Sequence, residues 1–149
     1  MAGNSTPQFT KNGIVQSVLV TAALADSSGA GNLTTPTIFK IATADATNGS
    51  WIDFVRVAAV ATAATTTTAT VGRIFVSSVT SGATTSANTF LVAEIALPAT
   101  AADNASTAVN FIDVPLNIRL PAGYTLLASN HAAPAANTNW RFTAFGGDF

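Results

Sequence analysis

Residues Phe111–Leu120 alternate in a way that constrains the fold more than any other part of the chain. Ile112, Val114, Leu116, Ile118 and Leu120 fall on one side, and Asp113, Asn117 and Arg119 on the other, together with Phe111 and Pro115. Successive side chains of an extended strand point to opposite faces of a sheet, so this pattern predicts a half-buried β-strand. Pro115 has no N–H for a ladder hydrogen bond, which places the strand at a sheet edge or at a bulge. In Pro121-Ala122-Gly123-Tyr124 the proline restricts φ and the glycine frees it, so the chain can reverse. Tyr124–Ser129 then reads as a returning strand, which makes the pair a hairpin.

The same reading along the chain predicts eight β-like runs: 14–23, 37–43, 51–61, 69–77, 89–97, 109–120, 124–129 and 140–145. The segments between them are rich in Gly, Asn, Ser or Pro, which supply turn geometry. Ala and Thr make up roughly a third of the chain, far above ordinary usage. Alanine favours helix, but here it is interleaved with Thr and Val, whose branched Cβ atoms suit a pleated surface. Only Pro98–Ala108 leaves room for a helical turn. The predicted class is all-β, a single antiparallel sandwich of about eight strands over residues 13–149, preceded by an extended N-terminal arm at 1–12. Phe39, Phe54, Phe75 and Phe142 are the expected core bulk. In 51–60, Ile52, Phe54 and Ala58 should share one face and Trp51, Val55 and Val57 the other. In 89–97, Leu91, Ala93, Ile95 and Leu97 should point inward, with Phe90 and Glu94 outward.

Charge and cysteine content exclude several functions. The six cations, Lys11, Lys40, Arg56, Arg73, Arg119 and Arg141, form no cluster, and the net charge is −1. Nucleic-acid binding depends on cations that displace counterions from phosphates, so no nucleic-acid partner is expected. There is no cysteine, hence no disulfide framework and no thiolate metal site. A mean hydropathy of +0.41 comes without any apolar run near the ~20 residues of a membrane helix. The first residues lack the cationic and apolar regions of a signal peptide. High hydropathy with few charges and no membrane span predicts surface buried against other subunits.

No catalytic constellation emerges. His131, the single histidine, sits in a loop of alanines, and no nucleophile-elbow pattern surrounds any serine. The carboxylates Asp26, Asp45, Asp53, Glu94, Asp103, Asp113 and Asp148 are spread about one per element, without calcium-loop spacing. Gly29-Ala30-Gly31 lacks the lysine of a phosphate loop. The expectation is a non-enzymatic chain without cofactor, metal or small-molecule substrate.

Phe9-Thr-Lys-Asn-Gly13, Thr43-Ala-Asp-Ala-Thr-Asn-Gly49 and Leu120-Pro-Ala-Gly-Tyr124, in a short Ala/Thr-rich chain without cysteine, resemble small virion proteins of tailed bacteriophages. More specifically, the chain looks like a capsid decoration (cement) protein with a jelly-roll-like β-sandwich. The resemblance implies a structural protein of the virion surface, made in the host cytoplasm, a homotrimer bound to the major capsid protein with arms on neighbouring subunits. Expected capsid or subunit contacts are Thr6, Pro7, Gln8, Phe9, Thr10 and Lys11 of the arm, with Trp51 and Phe90. The alternative is a receptor- or glycan-binding module of a tail fibre or spike, which would use loop-proximal aromatics such as Trp140. A hydrolase would need His131 or paired carboxylates.

Overall fold

The computed structural model describes residues 10–102 and 111–149. Its strands are β1 (Asn12–Val20), β2 (Phe39–Thr43), β3 (Ser50–Ala61), β4 (Thr65–Thr66), β5 (Thr70–Ser77), β6 (Thr89–Leu97), β7 (Ala101–Ala102), β8 (Phe111–Leu120), β9 (Thr125–Asn130) and β10 (Thr138–Asp148). Eight of them form two antiparallel four-stranded sheets, ordered β1-β10-β3-β8 and β2-β9-β5-β6. All eight predicted runs are strands. The additional pair, β4 and β7, is a two-residue ladder. No helix occurs among the described residues, and the helical turn considered for 98–108 falls partly on β7 and partly outside them.

The pairing is that of one long antiparallel ribbon rolled into a sandwich. β1 pairs with β10, β2 with β9, β3 with β8, and β5 with β6. This is the jelly roll, in which only β5 and β6 are consecutive strands of one sheet. Every other connection passes from sheet to sheet, and the two strands of the ribbon turn each corner together. At one corner Gly123 N–H donates to the Asp45 carbonyl (3.1 Å) and Ala44 N–H to that of Tyr124 (2.8 Å). At the second, Leu24 N–H donates to the Asn130 carbonyl (2.8 Å). At the third, β4 meets β7, and Thr67 N–H donates to the Thr100 carbonyl (2.9 Å).

The Pro121–Tyr124 turn is therefore real but not a hairpin. Tyr124 N–H closes it on the Pro121 carbonyl (3.1 Å), with Gly123 at φ +73°. β8 and β9 then enter different sheets, because each has its ribbon partner waiting there, β3 and β2 respectively. Local turn chemistry specifies a reversal, while pairing with distant strands decides where the chain goes.

The sheets enclose the main core, which includes Val20, Ile52, Val55, Val57, Ile74, Leu126, Trp140 and Phe142. A second cluster lies outside the β2-β9-β5-β6 sheet, where Leu24 and Ile38 of the β1–β2 connection cover Phe75 and Leu127. Each such buried side chain contributes about 1.5–3 kcal/mol of transfer free energy. That connection covers the outer face of the sheet over β9 and β5, while the edge strand β6 keeps Phe90, Leu91 and Val92 exposed. Among the described residues, no segment covers the outer face of the β1-β10-β3-β8 sheet.

Two bulges revise the predicted faces. The β3–β8 and β3–β10 registers both skip at Asp53. A one-residue skip exchanges the two faces of everything beyond it. Ile52 therefore shares the core side with Val55 and Val57, and Phe54 points outward, stacked on Phe145 at 4.6 Å rather than adding core bulk. Phe39, Phe75 and Phe142 are in the interior as expected. On β6 the skip falls at Val92, so Leu91 pairs with Phe75 and Phe90 with Val76. Leu91, expected inside, is exposed, and Phe90 no longer shares the side of Glu94.

Candidate functional site

Among the described residues the outer face of the β1-β10-β3-β8 sheet stands open to solvent. Directly opposed residues in antiparallel strands share a face, so the register defines its rows. Val15, Phe145, Phe54 and Pro115 form one row; Ser17, Thr143, Arg56 and Asp113 the next; Leu19, Arg141, Ala58 and Phe111 the third. Val15 is 69% exposed and Phe111 61%, although strand propensity and burial ordinarily take such residues inside.

Arg56 organises the centre of this face. Its Nε donates to Asp113 Oδ1 (2.7 Å) and its Nη2 to Asp113 Oδ2 (2.8 Å), a bidentate pair across neighbouring strands. The guanidinium also lies 5.0 Å from the Phe111 ring centroid, 5.8 Å from that of Phe54 and 5.7 Å from that of Phe145. Such stacking is a favourable cation–π arrangement. The hydrogen bond from Arg56 holds the Asp113 carboxyl below its ordinary range and, in return, raises the guanidinium. Both charges are thereby occupied.

Arg141 is different: it is exposed and has no hydrogen-bond or ion-pair partner among the described residues. It stands beside Ala58, whose methyl group leaves a gap between Arg141 and Phe111. The result is a depression of about 400 Å³, walled by Arg56, Phe111, Arg141 and Thr143.

Farther along the same face, Trp51 is opposed by Arg119 and Gly147, and its Nε1 donates to Asp53 Oδ1 (2.8 Å). Thr10 lies so close over Gly147 that a Cβ there would come within 2.6 Å of it. Lys11 N–H donates to the Asp148 carbonyl (2.7 Å), which ties the end of the arm to β10. Of the expected contact residues, Thr10, Lys11 and Trp51 therefore gather at one end of this face. Phe90 is exposed as expected (52%) but sits on β6, in the other sheet. Thr6, Pro7, Gln8 and Phe9 lie outside the described residues.

The sequence reading missed Val15, Phe54 and Arg141. The signal that could have found them was already present in β8, where Phe111 and Pro115 stand on the polar side of the alternation. Trp140, the aromatic suited to stacking on a sugar, is a core residue at 2% exposure.

The ionisable groups elsewhere serve the corners. His131 Nδ1 lies 2.7 Å from the Ala25 carbonyl, which can only accept, so Nδ1 carries the hydrogen. Asp26 accepts from the Ser28 hydroxyl and N–H, and Asp45 from Thr47 and Asn48 N–H (3.0 and 2.7 Å). These bonds hold both carboxyls below their ordinary range. Asp148 accepts from the Ser50 hydroxyl, and Glu94 accepts from Arg73 Nε (2.7 Å). Among the described residues no group of three or more His, Asp or Glu side chains could hold a metal ion. Nor is any helix there long and apolar enough to cross a membrane.

Compared with protein-family models, curated proteins and solved structures, the chain gives no significant match. The fold defines a jelly-roll β-sandwich, and its candidate site is a surface rather than a cleft.

Proposed function

We propose that this chain is a structural virion protein, a decoration or cement protein that binds the outside of a phage capsid and stabilises the shell. The observation that carries the reading is the sheet face that no described segment covers, with Val15 and Phe111 both more than half exposed beside Phe54 and Phe145. An apolar face of this kind is expected to be covered by another protein in use. The resemblance of the turn and strand segments to decoration proteins supplies the identity of that protein, the major capsid protein. Assembly as a homotrimer belongs to the same proposal, as does the virion surface as the place of action.

The chemistry required is association, with no catalytic step. A ligand that binds only the assembled shell shifts the equilibrium toward that shell by RT ln(1 + [L]/Kd), about 2.7 kcal/mol at a hundredfold excess over Kd. The proposal is tested by co-sedimentation of the purified chain with heads of the encoding phage assembled without it. Saturable binding, together with a higher temperature of head rupture, is expected. A chain that ignores heads, or binds them without changing their rupture temperature, refutes the cementing role.

A further inference from the structure

Resting on that reading, we infer that the β1-β10-β3-β8 face is the surface that seats on the shell, and that the depression over Ala58 receives a carboxylate-bearing side chain of the shell protein. The two faces of the sandwich differ in what they lack. The opposite sheet is covered over β5 and β9 by the β1–β2 connection, with Leu24, Ile38, Phe75 and Leu127 all buried, and its exposed large hydrophobics are confined to the edge strand β6. The β1-β10-β3-β8 sheet has no such cover among the described residues.

Its extent suits a protein partner. Four strands spaced about 4.8 Å apart, some ten residues long at ~3.4 Å per residue, present roughly 650 Å² in projection. That approaches the ~800 Å² that each side of an ordinary specific interface buries. A small ligand would leave most of it wet.

Its charge defines the partner further. Arg56, Arg119 and Arg141 stand on this face, with Lys11 at its end, although the chain as a whole is −1. The two carboxylates among them are already engaged, Asp113 by Arg56 and Asp53 by Trp51 Nε1. Arg119 lies over the Phe149 ring (5.0 Å) and donates to the Asn48 carbonyl (3.1 Å). Of these three arginines Arg141 alone has neither a hydrogen bond nor a ring contact among the described residues, and it borders a depression near the Ala61 end of β3.

An arginine beside a small residue and an exposed aromatic ring is built for a carboxylate on an aliphatic stem. The guanidinium takes the two oxygens in a charge-assisted fork, and the stem lies on Ala58 against Phe111. Burying the apolar rim around the pair lowers the local dielectric and strengthens it. Arg and aromatic side chains in a desolvated centre are also where binding energy concentrates in protein interfaces.

Three variants test the assignment on the intact chain against heads prepared without it. Arg141→Glu reverses the charge at an exposed site, and Ala58→Leu fills the depression without touching charge. Lys40→Glu reverses an exposed charge on β2, in the other sheet. Circular dichroism and the unfolding midpoint identify any variant that has lost its fold. The expected result is at least tenfold weaker binding for Arg141→Glu and for a folded Ala58→Leu, with Lys40→Glu unchanged. Wild-type binding that Arg141→Glu leaves within about twofold overturns the face assignment and leaves cementing standing. Failure of the wild type to bind heads removes the cementing reading, and this assignment with it. A wild-type oligomer that Arg141→Glu dissociates gives the face to a second copy and overturns the assignment to the shell. Wild-type binding to anionic phospholipid vesicles that Arg141→Glu abolishes, with head binding intact, overturns it as well.

Discussion

Gly146→Ala is the substitution that most directly interrogates the architecture. Gly146 lies at the bulge where β10 passes Asp53 of β3, paired with Ile52 one step from the Phe54–Phe145 stack. A Cβ built at Gly146 would stand 2.0 Å from the Trp51 carbonyl oxygen, 2.9 Å from its carbon and 3.0 Å from Ile52 Cα. Those atoms are backbone, so no rotamer change relieves the overlap, and β10 must lift away from β3. Overpacking against side chains costs about 1–3 kcal/mol. Here it is joined by the loosening of one or two ladder hydrogen bonds at about 1 kcal/mol each. The sum predicts a destabilisation of about 3 kcal/mol, or roughly 6–12 °C in Tm for a chain of this size. Gly13→Ala is the matched control, because a Cβ there meets nothing within 4 Å and Gly13 has ordinary strand φ. It should change stability by no more than about 1 kcal/mol, in the stabilising direction, by restricting the unfolded chain. Urea unfolding of both variants at unchanged m-value reads the difference directly. Equal midpoints for Gly146→Ala and Gly13→Ala would refute the close approach, and with it the bulge that turns Phe54 outward.

The two faces of β3 and β10 predict contrasting truncations. Phe142→Ala, at a fully buried site, should cost about 3–5 kcal/mol by leaving a cavity, whereas Phe54→Ala should cost under about 2 kcal/mol; thermal unfolding separates them. Arg73 is 8% exposed and donates to Glu94, to the Leu24 carbonyl and to the Asp26 carbonyl (2.7, 3.2 and 3.2 Å). Arg73→Ala should therefore lose about 2 kcal/mol by orphaning buried acceptors, against under about 1 kcal/mol for Glu94→Ala, whose carboxylate is half exposed; denaturant titration checks the asymmetry. Acid provides the last contrast. Asp26, Asp45 and Asp113 are held below their ordinary pKa of 3.8. A carboxyl depressed on folding contributes stability that is complete above its unfolded pKa and disappears as pH falls through the folded one. Stability should thus be flat above about pH 5 and decline below about pH 4, and a midpoint that holds steady down to pH 2 would contradict the bonding of these three groups.

Strand content was legible in the sequence because it is a local property. Alternation, β-branched residues and turn chemistry name all eight main strands, and Pro115 indicated an edge or a bulge in β8, which proves to be both. The edge is the outside of the β1-β10-β3-β8 sheet, and the bulge lies next to Pro115, where Asn117 adopts φ +50°. What the sequence could not supply were the consequences of pairing across the chain. Nothing near Pro121 shows that β9 is claimed by β2 and β5 instead of β8. The skips at Asp53 and Val92 are likewise invisible locally, since a strict two-residue period assumes none. Each skip misplaced the residues beyond it, which is why Phe54 and Leu91 were assigned inward. The surface site was hidden for the same reason: its rows are assembled from four strands that the chain visits at residues 12–20, 50–61, 111–120 and 138–148.

The rolled ribbon also explains why one sheet keeps an open face among the described residues. Its corners come in pairs, so most connections are consumed by hydrogen bonding to the opposite strand of the ribbon at the same corner. The β1–β2 connection is long enough to do both, meeting Asn130 at the corner and then laying Leu24, Leu33 and Ile38 across the β2-β9-β5-β6 sheet. The corner at Asp45–Gly49 has no length to spare: Asp45 caps Thr47 and Asn48, and Ser50 begins the next strand. That corner therefore adds no cover to the β1-β10-β3-β8 sheet. The aromatic residues retained on that face, with a paired arginine at its centre and an unpaired one beside a gap, are what a surface requires if its cover arrives from another protein.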